Sequence, residues 1–327
     1  MGLKNAGFKV LAAIEIDEIA SETYSENHPE VAVTTTDIRR VDPLRWMRDL
    51  GLSLGDLTLM ASCAPCQGFS TIRTRNAREP ADDPRNDLVF EILRFAEVML
   101  PQAILMENVP GLRHDRRFDE LLNGLRKLGY RIGDGPWIAN AADYGVPQNR
   151  RRLVLMAARF ASITIAPMQP FRATVRSAIG ALQPPGDTGD PLHDLPERRS
   201  ARVQTRIAAV PKDGGGRFDL PHSLRLDCHA TFDGFKDVYG RMAWDRPAPT
   251  ITGGCFNPSK GRFLHPEQNR NITLREAALL QGFPADYWFS LRGGKVKAAS
   301  MIGNALPPRF VEAQARPIAT ALGAIYG

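Results

Sequence analysis

Hydrophobic runs long enough to cross a bilayer are missing from this 327-residue chain. None reaches about 18 residues, so no transmembrane helix is expected. The first residues, Met1-Gly2-Leu3-Lys4, carry no apolar core of a signal peptide. Cysteine is scarce. Four residues in such a length make no disulfide framework, which points to a reducing, cytoplasmic setting. Cys63 and Cys66 form a C-x-x-C pair, but Cys228 and Cys255 stand 27 residues apart and supply no second pair. No zinc or other metal is therefore expected. Internal repeats, low-complexity tracts and a G-x-G-x-x-G turn are also lacking. What remains, 43% apolar and 24% charged, is the balance of an ordinary globular protein large enough for one or two domains.

Charge is present in one place. Between Arg150 and Arg217 stand twelve Lys/Arg against five acidic residues, whereas the whole chain nets only +6. A basic segment on a near-neutral body is the footprint of a polyanion-binding surface; a solvated Arg-rich face would read the same way.

The first 165 residues alternate apolar runs with amphipathic stretches. Strands are expected at Val10–Ile14, Leu57–Ala61, Ala103–Met106 and Arg152–Ala158. Helices are expected at Glu18–Asn27, Asp87–Leu100 and Phe118–Leu128. Near-continuous apolar strands alternating with helices imply a doubly wound parallel sheet covered on both faces. Past about Pro170 the chain turns irregular and Arg-rich, and helical patterning returns at Leu274–Leu280 and Pro308–Leu322. The expected division is a catalytic and cofactor-binding domain over 1–172, completed by 290–327, and a smaller domain over 173–289.

In open α/β sheets, ligands bind at the carboxyl ends of strands. Glu15, Cys66 and Glu107 all fall there. Cys66 sits in Ala64-Pro65-Cys66-Gln67-Gly68-Phe69-Ser70, just past a strand and not inside it. A thiol so placed is exposed to dipoles and cations that favour its reactive thiolate. Glu107 ends four apolar residues, a setting that favours the protonated acid. Arg150 and Arg152, two apart before a strand, would share a face and could both reach one site. A polar loop with Arg73, Arg75, Arg78 and Arg85 could cover an anionic substrate.

Five ordered motifs carry a resemblance over essentially the whole chain. They are Pro65-Cys66-Gln67-Gly68-Phe69-Ser70, Glu107-Asn108-Val109, Gln148-Asn149-Arg150-Arg151-Arg152, Arg246-Pro247-Ala248-Pro249-Thr250-Ile251-Thr252 and Gly303-Asn304-Ala305-Leu306-Pro307-Pro308. In this order the chain resembles the C5-cytosine DNA methyltransferases of bacterial restriction-modification or orphan type. The resemblance implies a Rossmann-like fold dependent on S-adenosylmethionine, plus a small target-recognition domain. It implies Cys66 as nucleophile at cytosine C6, Glu107 at the N3/N4 edge, Arg152 at O2 and Arg150 beside it. It places Glu15, Ile16, Asp37, Ile38, Pro65, Leu88, Asn304 and Ala305 at the cofactor, although Asp37 alone would read as a helix cap. It places Gln67, Ser70, Arg73, Arg241 and Thr250 at double-stranded DNA, whose target base must be flipped out. A cognate restriction endonuclease without a stable complex, and a nucleoid-associated cytoplasmic location, are implied as well.

The resemblance begins part-way into the family pattern. Met1–Phe8 matches the helix after a strand and a Phe-x-Gly-x-Gly-Gly turn, and neither has a counterpart here. A misassigned start, a truncated and weakly active DNA-binding relative, or a strand supplied separately would each explain this. Ala64 also stands where the family has proline. A tRNA-methylating relative shares the Pro-Cys and Glu-Asn-Val chemistry; the long Arg-rich region favours DNA. A thioredoxin-like use of Cys63 and Cys66 would need no Glu107.

Overall fold

The computed structural model describes residues 1–64, 84–226 and 235–326. The chain divides into two compact units. The first holds Met1–Asn140, Arg151–Met168 and Phe310–Gly327, and the second holds Ala141–Arg150 and Gln169–Arg309.

In the first unit, helix α1 (Gly2–Asn5) precedes strand β1 (Ala12–Glu15), helix α2 (Glu18–Asn27), strand β2 (Ala32–Thr35), helix α3 (Pro43–Asp49) and strand β3 (Leu59–Ser62). After the 3-10 segment Pro84–Phe90 come helix α4 (Glu91–Met99), strand β4 (Ala103–Asn108), helix α5 (Arg116–Lys127) and strands β5 (Trp137–Asn140) and β6 (Arg151–Ala158). Helix α2 starts where Asp17 accepts the amides of Ile19 and Ala20, and α5 starts on Asp115. In α5 the apolar residues Phe118, Leu121, Leu122 and Leu125 recur at helical spacing, and all are buried. They pack with Ile92, Ala96, Ile104, Met106, Leu153 and Leu155 in the main core. β4 has a strand on either edge, and its side chains Ala103, Ile104, Leu105 and Met106 are all buried, Ile104 and Met106 in the core shared with α4 and α5.

The parallel sheet expected from the sequence is corrected to a mixed one. β1 pairs with β2 in parallel as a two-stranded sheet. The second sheet runs β3-β4-β6-β5, with β3 parallel to β4 but β6 antiparallel to both its neighbours. Parallel neighbours need a crossover of a dozen or more residues, usually a helix. Only Ala141–Arg150 separates β5 from β6, so the chain turns straight back.

The second unit is mostly irregular. Its helices are α6 (Val175–Ile179), α7 (Ala201–Ala209), α8 (Leu274–Leu280) and α9 (Gly294–Asn304); the final helix, α10 (Pro308–Tyr326), returns the chain to the first unit from Phe310 onward. α9 thus lies in the second unit, where the sequence alone assigned it to the first. Apolar packing of Ile207, Val210, Leu220, Val238, Tyr239 and Leu264 forms one core of this unit. Beside it, Glu276 is buried, capping α8 by accepting from the Thr273 amide and holding Arg270 through both guanidinium nitrogens at 2.7 Å.

His265 lies against the same carboxylate. Its Nδ1 accepts the amides of Glu267 and Gln268 at 3.1 and 3.0 Å, so the proton of the neutral ring sits on Nε2, 3.7 Å from Glu276. Burial holds its pKa down at about 4 from 6.5, against the pull of Glu276. The unfolded chain takes up this proton near pH 6.5 and the native chain only near 4. Stability is therefore full above that window and falls as pH drops through it, by on the order of 3 kcal/mol from this ring. Urea melts at stepped pH are expected to show the loss, and His265→Gln to flatten the slope between pH 6.5 and 4. An unchanged slope would mean that this ring is not the titrating group.

Candidate active site

The register of β4 against β6 builds the centre of the first unit's site. Glu107 stands opposite Val154 and Asn108 opposite Leu153. Arg152, two residues before Val154, is then a diagonal neighbour on Glu107's face. Its Nε approaches Glu107 Oε1 to 2.6 Å, and both side chains are mostly buried, at 15% and 12% exposure. Arg152 also donates from Nη1 to the Arg151 carbonyl at 2.8 Å.

β3 brings the chain toward the same place. Ser62 is in register with Met106, one residue before Glu107. Asn108, itself buried, donates from Nδ2 to the Ala64 carbonyl at 3.0 Å and accepts the Val109 amide on Oδ1 at 2.8 Å. The chain is thus held at Ala64, two residues before Cys66. Pro65, Cys66, Gln67, Ser70 and Arg73 lie outside the described residues. Cys63 is exposed.

A second group gathers at the ends of β1 and β2, where Glu15 is in register with Thr35. Glu15 accepts the Asp17 amide on one oxygen at 3.0 Å. Ile16 is 65% exposed, an apolar side chain turned to solvent. Asp37 caps the 3-10 turn Ile38–Arg40 and binds Arg39, whose guanidinium holds its carboxyl down at about 2. Asp37 is therefore both the cap and an ionised acceptor. Ile38 packs partly against Val41, Met47 and Phe95. Leu88 is half-buried in Pro84–Phe90. A carboxylate for hydroxyls, an exposed aliphatic face for a flat ring and a second carboxylate for an amino group fit the nucleoside end of S-adenosylmethionine.

The remaining expected residues lie in the second unit, and here two expectations change. Arg150 lies outside β6 and shares no strand face with Arg152. It is buried, and its Nη1 donates to the carbonyls of Ile251 and Gly303 at 3.1 and 3.2 Å. It fastens two backbone segments and does not present a free guanidinium to a base. Arg241, expected at DNA, is 0% exposed. Its guanidinium donates to the carbonyls of Ile207, Val210, His265 and Gln268 and to Asn269 Oδ1, at 2.6 to 3.0 Å. A cation so enclosed organises the unit's core and cannot touch a duplex. Thr250 is half-buried and donates to the Asn149 carbonyl at 2.7 Å. Asn304 is exposed at the end of α9, with Nδ2 3.2 Å from Ser300 Oγ, and Ala305 follows it half-buried. The structure thus brings together the segments of Arg150, Thr250 and Asn304. Gln281, which no motif named, lies among them. Its signal is a polar residue continuing the apolar stripe Leu274, Ala277, Ala278 at helical spacing.

Comparison with known families matches residues 1–320 to the C-5 cytosine-specific DNA methylases. The type II methylase M.HgiDII of Herpetosiphon aurantiacus is 37% identical, over 94% of this chain and 87% of that protein. The type II methyltransferase M1.HphI of Haemophilus parahaemolyticus is 32% identical over 97% and 82%. Among solved structures, an Escherichia coli prophage protein described as a DNA modification methyltransferase superposes with a TM-score of 0.72, covering 98% and 95% of the two chains at 23% identity, which is a likeness of fold. With a mixed sheet, strand-end carboxylates and these relatives, the chain belongs to the C-5 cytosine-specific DNA methylase family. It is a DNA cytosine methyltransferase that uses S-adenosylmethionine, on the Rossmann-like fold of that family. Among the described residues, no helix is long and apolar enough to cross a membrane.

Proposed function

We propose that the chain methylates C5 of a cytosine flipped out of double-stranded DNA, through a covalent bond between Cys66 and C6. The observation that carries this is the Glu107–Arg152 pair, 2.6 Å apart at the strand ends beside the Ala64 approach to Cys66.

A cytosine ring offers N3 and the exocyclic amine on one edge and O2 beside them. A carboxylate and a guanidinium already side by side can divide that edge, Arg152 donating to O2 and Glu107 accepting from the amine. As Cys66 thiolate adds to C6, the C5–C6 electron pair is displaced and the ring needs a proton at N3. Glu107, entering as the carboxylic acid, gives its proton to N3 as the thiolate adds and takes it back once C5 carries the methyl group, and Arg152 meets the charge growing on O2. C5 then carries the electron pair that takes the methyl group. Loss of the C5 proton to solvent water returns those electrons and expels Cys66 as thiolate. S-adenosylmethionine, when bound, supplies the methyl as an electrophilic carbon on sulfonium. Glu15, Ile16, Asp37, Ile38 and Leu88 would hold its nucleoside end, and Pro65, Asn304 and Ala305 are further residues proposed to contact it. A base stacked in duplex DNA cannot reach such a pocket, so flipping is required. The exposed arginines of 150–217 supply phosphate contacts, which give affinity without sequence reading. The type II relatives carry the further reading of a restriction-linked role.

Glu107→Gln keeps the shape and a hydrogen bond to Arg152 but cannot hold a proton for N3. Single-turnover methylation is expected to fall by roughly 10²–10⁴-fold with the melting temperature little changed. Methylation at the wild-type rate would overturn the assignment of Glu107.

A further inference from the structure

Two buried carboxamides in the second unit have no place in the chemistry above. Gln148 and Gln281 are both 0% exposed. Gln281 follows α8 as its C-cap. Its Nε2 donates to the carbonyls of Ile302 at 2.5 Å and Ala305 at 3.1 Å. Its Oε1 accepts Gln148 Nε2 at 2.6 Å, and Gln148 Nε2 also donates to the Leu280 carbonyl at 3.2 Å. Gln148 Oε1 in turn accepts the Ile251 amide at 2.9 Å. Both nitrogens face carbonyl groups and both oxygens face donors. Turning either amide over would set oxygen against oxygen, so the pattern has one orientation.

The result is a chain of hydrogen bonds from the Ala305 carbonyl to the Ile251 amide. A second path runs beside it. Arg150 joins the Gly303 carbonyl to the Ile251 carbonyl, so the Ile251 residue is gripped at both its polar groups. The two backbones also touch: a Cβ built on Gly303 would lie 2.2 Å from the Thr252 carbonyl carbon and from the Gly253 amide. Moving the Gly303–Ala305 turn against Thr250–Gly253 would strand buried amides, at about 1–3 kcal/mol for each group left unpaired. Buried networks of this kind hold one arrangement or fail together.

We propose that Gln281 is a positioning residue that couples the two substrates: by fixing the turn bearing Asn304 and Ala305 to the segment bearing Thr250, it makes cofactor binding and DNA binding mutually favourable. This rests on the reading that places Asn304 and Ala305 at the cofactor and Thr250 at DNA. Gln281 touches neither ligand. Ordering of the turn by one ligand orders the other segment in advance, and linkage makes the effect reciprocal.

The test is equilibrium DNA binding with and without S-adenosylhomocysteine at fixed ionic strength. The duplex carries the motif found by bisulfite sequencing of DNA methylated by the wild-type chain. Wild type is expected to bind at least about fivefold tighter with S-adenosylhomocysteine present, the lower end of ordinary coupling. Gln281→Leu, which removes the amide's donors and its acceptor but keeps a side chain of similar size, is expected to bring that ratio below about twofold while the affinity without S-adenosylhomocysteine stays within about threefold of wild type. If Gln281→Leu does not fold, Gln281→Glu replaces it. Its carboxylate still accepts from Gln148 but cannot donate to Ile302 or Ala305, so the same loss is expected at mildly alkaline pH. A variant that keeps the wild-type ratio, or a wild type whose ratio is one, overturns the proposal. Wild type that shows no S-adenosylhomocysteine binding by calorimetry would overturn the cofactor reading itself, and this inference with it.

Discussion

Cys66→Ser is expected to abolish the protein–DNA adduct that the wild-type chain forms on duplexes containing 5-fluorocytosine. Fluorine at C5 replaces the hydrogen whose departure as a proton would expel the thiolate. The wild-type bond to C6 therefore persists and survives a denaturing gel. A serine hydroxyl is a far weaker nucleophile near neutral pH, because its anion is scarcely populated where a thiolate is accessible. The neighbouring Cys63 gives the experiment its control. It is exposed just after β3, three residues before Cys66 in sequence, and could attack if the nucleophile were misassigned. Cys63→Ser is expected to keep the adduct. An adduct of undiminished yield from Cys66→Ser would sink the covalent mechanism as written.

The second large effect is expected at Gly303, for a steric reason. A methyl group there would stand 2.2 Å from two backbone atoms, the Thr252 carbonyl carbon and the Gly253 amide nitrogen, and 2.8 Å from Thr252 Cα. Backbone cannot rotate out of the way as a side-chain tip can. The turn must lift off, and Arg150 and Gln281 lose carbonyls that they hold. Overpacking alone costs about 1–3 kcal/mol and sometimes more, and the lost buried hydrogen bonds add to it. Gly303→Ala should lower the melting temperature by several degrees and reduce methylation at subsaturating cofactor. A variant that melts with wild type and methylates at full rate would show that the two backbones do not approach so closely.

Much of this was legible in the residues, and the exceptions share a physical cause. Helix α2 runs over Glu18–Asn27 as expected, because Asp17 marks its start and Pro29 its limit. The centre of the second sheet was legible because β4 is buried from both sides and reads as an unbroken apolar run. Strands β2 (Ala-Val-Thr-Thr) and β5 (Trp-Ile-Ala-Asn) carry no such run. Each lies at a sheet edge with a single hydrogen-bonded neighbour, so nothing in them demands two-sided burial. The direction of β6 was equally hidden, since it depends on the short return from β5. Glu107 and Arg152 were legible as types and positions, but their contact comes from the register of two antiparallel strands. Arg150 and Arg241 show the converse. An arginine in sequence looks the same whether it faces a phosphate or a ring of carbonyls, and the structure encloses both.

Those enclosed arginines alter the electrostatics that the composition suggests. Of the twelve cations between Arg150 and Arg217, Arg150, Arg206 and Arg217 are buried. Arg152, Arg172, Arg176 and Arg199 are already in ion pairs with carboxylates. A cation with an internal partner displaces few counterions from a duplex, and the salt dependence of DNA affinity counts only phosphates newly neutralised. The salt dependence of DNA affinity is therefore expected to be shallower than a count of the basic segment implies. On the proposed mechanism, more of its discrimination would then fall to close contact, where a base either fits beside Glu107 and Arg152 or does not.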